Sequence, residues 1–342
     1  MAFGRGDAVM LGRLFLLNPF SYAFLVRRAV RAVALRTSPA RGLWLMRWCS
    51  GACLRCFPCI RESIERAVAY MLSAHLNDDP RRVREVSAAI VRELFEAEFA
   101  GLKLRSHSLE SMKSMIDGMA CEGDEQLQAA LARGGPLMLA GLHFGNLMLF
   151  VTKLRFMIPD DRKLMVILHR DAPGAFFDDA LRLVAEYGAG EVEFIDIEER
   201  VHLRRLITSL RREAPVFLLF SDLHGKFGKT NRCRLGGRWV RMAGGGVKLA
   251  VEQGIPLLVA YATGVPFRDR CAVHFTELAA SPLAPMLGAD DDASPVRATH
   301  QRIVDRLEQA LVRQPEQWHF WEHFTPYLMP TPLLDAAARR RS

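Results

Sequence analysis

From Pro136 onward, short apolar runs alternate with stretches in which apolar residues recur at helical spacing. Short apolar runs bounded by turn residues are typical of buried strands, and periodic stretches of ten or more residues indicate amphipathic helices. The predicted strands are Leu137–Leu142, Leu164–Leu168, Val192–Ile197, Val216–Phe220, Ile255–Tyr261 and Ala272–Leu278. The predicted helices between them are Phe176–Tyr187, Val201–Arg212 and Val247–Gln253. This alternation predicts an α/β fold with a mostly parallel central sheet flanked by helices.

Helical periodicity also precedes and follows the predicted sheet. Arg82–Phe99 and Leu109–Met119 are predicted helices, and His300–Val312 is predicted as a terminal helix after a surface loop over 280–294. We therefore expect three regions: a basic apolar region over 1–62, one α/β domain with a helical lead-in over 63–330, and a basic tail over 331–342.

The positive charge of the chain is concentrated at its N-terminus. The net charge is +8, and residues 1–61 hold ten arginines against one acidic residue, Asp7. Apolar segments at Leu14–Val26 and Leu43–Ile60 lie among these arginines, but the first is shorter than the roughly twenty residues that a bilayer crossing needs and contains Pro19. The pattern of charges, with the aromatic residues Phe15, Phe20, Tyr22, Phe24, Trp44 and Trp48, favours an interfacial helical region that contacts anionic lipid. The alternative is a pair of ordinary amphipathic helices with solvated arginines.

Composition excludes several other classes of function. The arginines are interleaved with apolar runs and no nucleic-acid-binding motif is present, so no nucleic-acid partner is expected. Histidine and cysteine do not fall at zinc-ligand spacing, and no metal or other cofactor is predicted. The closely spaced Cys49, Cys53, Cys56 and Cys59 lie in an apolar segment, which favours packing or interfacial thiols; an iron-sulfur cluster, lipidation and disulfides are alternatives.

The strongest candidate for chemistry is His143. It ends the predicted strand Leu137–Leu142 within the sequence PLMLAGLHFGNLML and precedes small residues and a second apolar run. The carboxyl end of a strand is where α/β sheets place reactive groups. Histidine is the residue that most often transfers protons in enzymes, so His143 is a candidate acid or base. The alternative is a core histidine with a satisfied hydrogen bond.

The His-Phe-Gly-Asn block resembles that of the bacterial lipid A late acyltransferases, within the lysophospholipid acyltransferase superfamily. Further segments fit this resemblance over about residues 121–327: Glu122–Leu127 before the histidine strand, Ser221–Gly225 after a second strand, the stretch from Gly244 to Pro256, and Pro315–Trp318 with Trp321 and His323. The resemblance implies a peripheral enzyme at the cytoplasmic face of the bacterial inner membrane. It also implies transfer of an acyl group from an acyl carrier protein or coenzyme A thioester to a hydroxyl or amine of a lipid or lipid-like acceptor. In such a reaction we expect His143 to act as the general base, Phe144, Gly145 and Asn146 to contact substrate, and the amides of residues 145–147 to bind the oxyanion.

One position departs from the family pattern. The family has Glu or Asp five residues after the histidine, whereas this chain has Met148. A thioether cannot orient an imidazole, so another acid is needed if the protein is a transferase. Asp222 is the preferred substitute because it ends the strand Val216–Phe220, and parallel strands end at the same edge of a sheet; Glu125 and Asp124 are weaker candidates. The alternative is a non-catalytic family member that binds lipid or carrier protein as a scaffold.

Basic residues near the predicted strand ends are candidate anion contacts. Arg170 matches a position where the family often has arginine, and Arg238 belongs to a group with Arg232, Arg234 and Arg241. Guanidinium groups suit the phosphates of a lipid headgroup, a phosphopantetheine arm or coenzyme A. A solvated basic loop is the alternative, and the sequence leaves open whether the acceptor is a lipid or a secondary metabolite.

Overall fold

The computed structural model describes residues 30, 33–34, 36–168, 174–187, 190–196, 200–224, 228–278 and 294–321. The predicted segment Leu14–Val26, Arg170, most of the predicted loop 280–294 and the basic tail lie outside the described residues. Among the described residues there are ten α-helices, namely α1 Pro39–Cys56, α2 Pro58–Leu76, α3 Pro80–Leu104, α4 Leu109–Asp117, α5 Asp124–Ala132, α6 Leu147–Met157, α7 Gly174–Glu186, α8 Arg200–Arg212, α9 Gly245–Glu252 and α10 Pro295–Arg313. The strands are β1 Ala120–Glu122, β2 Leu137–Gly141, β3 Leu164–Leu168, β4 Val192–Asp196, β5 Val216–Phe220, β6 Thr230–Leu235, β7 Arg238–Ala243, β8 Leu257–Thr263 and β9 Ala272–Glu277.

The main sheet is mixed and mostly parallel. Its order within the described chain is β1-β9-β8-β2-β5-β3-β4, and the five strands β4, β3, β5, β2 and β8 run parallel to one another. β9 is antiparallel to β8 and carries β1 parallel to itself at the edge. The predicted α/β class, with a mostly parallel sheet flanked by helices, is confirmed.

Two hydrophobic clusters cover the two faces of this sheet. One contains residues of α2, α9 and α10, and the other contains residues of α4, α5, α6 and α7. Successive residues of β2 and β8 alternate between the two clusters, as the period of a strand requires. We call the face covered by the first cluster the α10 face and the face covered by the second cluster the α6 face. The buried apolar runs that predicted the strands are therefore explained by helices on both sides.

The N-terminal helices form a layer beside the sheet. α1 packs on α3, and the contact is so close that a Cβ at Gly42 would lie 2.0 Å from the Phe99 ring. The apolar segment predicted over Leu43–Ile60 is divided between two helices, because Phe57 leaves helical geometry and Pro58 begins α2. The predicted boundary at residue 62 falls within α2.

A two-stranded antiparallel hairpin, β6–β7, was not predicted. Its inward residues, such as Cys233 and Val240, are buried, whereas its outward residues are mostly arginine. Ala243 at the end of β7 donates its N–H to the carbonyl of Leu223, 2.8 Å away, which attaches that end of the hairpin to the segment after β5.

Candidate functional site

Strand register places His143 and Asp222 side by side. Gly141 of β2 pairs with Phe220 of β5, and the Ser221 N–H continues the ladder by donating to the Gly141 carbonyl at 2.8 Å. His143 and Asp222 each lie two residues beyond that matched pair. Their proximity therefore follows from the parallel pairing of two adjacent strands that end together.

The two residues are joined by two hydrogen bonds. His143 Nδ1 lies 2.7 Å from Asp222 Oδ1, and the His143 main-chain N–H donates to Asp222 Oδ2 at 2.8 Å. The imidazole stacks on Phe220, with ring centroids 4.1 Å apart, and meets the edge of Phe320 at 4.6 Å. Because a carboxylate only accepts, Nδ1 carries a proton and Nε2 is left as the basic atom.

The segment after α10 closes over this pair. The indole N–H of Trp318, a side chain that is almost fully buried, donates to Asp222 Oδ2 at 3.0 Å. The main-chain N–H of His319 donates to the His143 carbonyl at 3.0 Å. Sequence reasoning included Trp318 in a motif but gave it no role. The signal available was that a buried indole N–H needs an acceptor.

Asp222 is completely buried, whereas the His143 side chain is 15% exposed. Burial alone would raise the pKa of Asp222, but the charge of His143 and the hydrogen bonds from His143 and Trp318 outweigh it, so the pKa is lowered. The carboxylate is thus held ionised beside an imidazole that reaches the surface. This arrangement can orient a general base.

The residues after His143 shape the turn into α6. Gly145 has φ +59°, and a Cβ there would lie 2.8 Å from the Ala262 carbonyl, so only glycine fits without strain. Its N–H donates to the Gln317 carbonyl at 3.2 Å. That donor therefore already has a partner, and oxyanion binding by the Gly145 amide stays a prediction. The amides of Leu147 and Met148, which have no intrahelical acceptor, are further donors at the start of α6.

Phe144 and Asn146 have structural contacts. Phe144 is fully buried on the α10 face, and its ring lies 5.5 Å from that of Tyr261. Asn146 is the N-cap of α6, and its side-chain oxygen accepts the Leu149 N–H at 3.0 Å. Substrate contact by either residue stays a prediction.

Met148 and the two weaker candidate acids belong to helices α6 and α5. Met148 is buried in the α6-face cluster, so the position of the family acid is filled by an apolar side chain. Asp124 and Glu125 lie in the first turn of α5. Of the candidate acids, Asp222 is the one that the structure brings to the imidazole.

The structure describes one of the two predicted anion contacts. Arg170 lies outside the described residues. Arg238 begins β7, about 17 Å along the strand from the Ala243 end that reaches Leu223, and its guanidinium lies 4.8 Å from the Tyr70 ring centroid. Anion binding by either residue stays a prediction.

A buried network connects the site to α3. The Gln317 side chain accepts the Gly264 N–H at 3.0 Å and donates to Glu93, which in turn binds Arg268 at 2.7 Å. The carbonyl of the same Gln317 holds the Gly145 turn. Burial raises the pKa of Glu93 to about 7, although Arg268 opposes the shift.

Comparison with protein-family models gave no match, and neither did comparison with curated proteins. Across the described ranges, no three His, Cys, Asp or Glu side chains are grouped as ligands for a metal ion.

Proposed function

We propose that the protein is a peripheral acyltransferase of the lysophospholipid acyltransferase type, similar to the lipid A late acyltransferases. It would take an acyl group from an acyl carrier protein or coenzyme A thioester and transfer it to a hydroxyl or amine of a lipid or lipid-like acceptor. The observation that carries the proposal is the hydrogen-bonded pair of partly exposed His143 and buried Asp222 at the ends of β2 and β5.

The proposed reaction uses the Nε2 atom of His143. Asp222 fixes the Nδ1–H tautomer and stabilises the imidazolium that forms when Nε2 takes the proton of the acceptor hydroxyl. The acceptor oxygen attacks the thioester carbonyl, the C–S bond breaks, and the imidazolium returns the proton to the leaving thiolate. The first turn of α6, which begins at Leu147, offers backbone amides to the oxyanion.

Asp222 accounts for the absence of the family acid in this proposal. A carboxylate at position 148 would follow the histidine along the chain, whereas Asp222 comes from the adjacent strand and binds both the ring and the main chain of His143. The same role is filled from another element, and Met148 adds to the core.

Membrane contact is proposed for the exposed face of α1. Trp44 and Trp48 are one helical turn apart and are 66% and 65% exposed, with Arg41 and Arg55 also exposed on this helix. Indole rings with nearby guanidinium groups suit the interface of an anionic bilayer. None of the described helices has the length and apolarity needed to cross a membrane. We place the protein at the cytoplasmic face of the bacterial inner membrane.

The buried Met148 also supports a second candidate, a non-catalytic scaffold that binds lipid or carrier protein. A third is a transferase whose acceptor is a secondary metabolite. The three differ in whether acyl transfer occurs and in what receives the acyl group.

The test is transfer of radiolabelled acyl groups, from acyl carrier protein or coenzyme A, by purified protein in the presence of a lipid extract. His143→Ala should abolish product formation, because it removes the base. The matched control is His75→Ala, which breaks a surface His–carboxylate pair with Glu308 (2.8 Å). Equal loss in both variants would contradict the assignment. If the wild type transfers nothing and Met148→Glu gains activity, the scaffold function is favoured.

A further inference from the structure

A second histidine–carboxylate pair lies on the α10 face of the sheet. His274 Nδ1 is 2.9 Å from Glu122 Oε2, and His274 Nε2 is 2.9 Å from the Thr263 hydroxyl. The three residues come from β1, β9 and β8. Glu122 pairs with His274 in the parallel ladder, and Tyr261 pairs with His274 in the antiparallel ladder. Thr263 lies two residues after Tyr261, so its side chain is diagonal to His274 on the same face of the sheet.

The hydrogen bonds fix the direction of each proton. Ionised Glu122 only accepts, so Nδ1 of His274 carries the proton and Nε2 is the acceptor. The Thr263 hydroxyl must then donate to Nε2. The Tyr261 ring stacks on the imidazole, with centroids 4.7 Å apart and planes 16° apart, and holds its orientation.

The charges around His274 keep it available as a base. Burial lowers its pKa, outweighing the opposing effect of Glu122, and the charge of Arg313 at the end of α10 acts in the same direction as burial. A neutral imidazole is therefore in place against a hydroxyl proton, with a positive charge on the same side of the sheet.

The cluster is separate from His143 but adjoins its turn. Thr263 lies on the α10 face with Tyr261, whereas the His143 ring contacts Phe220 of the α6 face. The backbone of Gly145 lies against β8 here, since a Cβ at Gly145 would lie 3.1 Å from Thr263 Cα. Thr263 is 7% exposed, and the side chains of His274 and Glu122 are 16% and 66% exposed.

We propose that Thr263 is a nucleophile toward activated acyl esters, with His274 as its base and Glu122 as the residue that orients the imidazole. The Thr263 oxygen attacks the ester carbonyl while His274 Nε2 takes the hydroxyl proton. The bond from the carbonyl carbon to the leaving group breaks, and the imidazolium returns the proton to that group. An O-acyl threonine remains, which water or an acceptor hydroxyl then cleaves. This site does not depend on the function proposed for His143.

The test uses p-nitrophenyl decanoate with the full-length protein in a His143→Ala background, so that the first site cannot contribute. The decanoyl group should be found by peptide mass spectrometry on Thr263, as an ester that resists neutral hydroxylamine, whereas thioesters on exposed Cys56 or Cys59 are cleaved. Rapid release of p-nitrophenolate should accompany it.

The variants separate catalysis from packing. Thr263→Val should abolish both adduct and release, Thr263→Ser should retain them, and His274→Gln should slow release about 10²-fold, the scale of general-base catalysis. Release that is unchanged in folded Thr263→Val, or that is insensitive to His274→Gln, would overturn the proposal. If Thr263→Val fails to fold, the absence of a decanoyl ester at residue 263 in both the parent protein and Thr263→Ser would overturn the proposal.

Discussion

Asp222 binds His143 through both of its carboxylate oxygens, one on the ring nitrogen and one on the main-chain amide. The carboxylate therefore sets the rotation of the imidazole and also fixes the backbone that carries it. Asp222 is fully buried and its partner is partly exposed, which is the polarity that the proposed general base needs.

Replacing Asp222 by Asn should remove this control of the imidazole. The Asn side chain is neutral and can present its N–H to Nδ1 of His143. Nδ1 would then accept and the ring proton would move to Nε2, which could no longer act as the base. We expect activity to fall by roughly 10²–10⁴-fold, the scale seen when a triad acid is replaced. Acyl transfer with circular dichroism as the folding check measures this, and near-normal turnover in a folded variant would contradict the role of Asp222.

Trp318→Phe should have a smaller effect. It removes the indole donor from Asp222 Oδ2 while leaving both bonds from His143. Loss of one hydrogen bond to a buried carboxylate costs about 1–3 kcal/mol. The free energy of unfolding should fall by that amount, with partial activity retained. Trp239→Phe, a substitution of an exposed tryptophan, is the control and should leave stability nearly unchanged.

Gly145→Ala tests the close approach of the His143 turn to β8. Gly145 and Gly237 both have positive φ, +59° and +73°, so alanine is strained at either position. A Cβ at Gly145 meets the Ala262 carbonyl at 2.8 Å, whereas a Cβ at Gly237 meets nothing within 4 Å. Activity should therefore fall in the first variant and persist in the second, with only about 1–2 kcal/mol of destabilisation at Gly237. Similar activity in the two variants would argue against a steric constraint at the site.

Glu93 makes stability depend on pH. Its pKa is raised from 4.5 to about 7 by burial, so between these values the folded chain holds a proton that the unfolded chain has lost. Stability should accordingly decrease as pH rises through this window. In Glu93→Gln the free energy of unfolding should fall less between pH 5 and pH 8, by up to about 3 kcal/mol less than in the wild type. Urea unfolding at these two pH values measures the difference.

The matched control for that experiment is Glu85→Gln, because Glu85 is an exposed residue of the same helix. Its unfolding free energies should follow those of the wild type. Parallel curves for wild type and Glu93→Gln would show that Glu93 does not titrate as described.

The sequence predicted most of the sheet because its strands are apolar on both faces. Val216–Phe220 and Leu164–Leu168 were predicted at their observed bounds. The pairing of His143 with Asp222 was also predictable, since parallel strands place their carboxyl ends at one edge. The antiparallel direction of β9 was not, because strand order depends on contacts between distant segments.

Other features were hidden by local composition. The hairpin β6–β7 has arginines on its outward face, so it was interpreted as a basic cluster although its buried positions alternate. Glu122 was included in the lead-in to the histidine strand, yet it ends the short strand β1. Its contact with His274 joins residues far apart in sequence, which no local pattern indicates.

The central claim is that His143, oriented by Asp222, transfers acyl groups. The most direct measurement is comparative lipid mass spectrometry of cells producing wild type, His143→Ala or Asp222→Asn at equal protein levels. We expect an acylated product in cells producing the wild type that is absent with His143→Ala and strongly reduced with Asp222→Asn. A product that persists in both variants would contradict it.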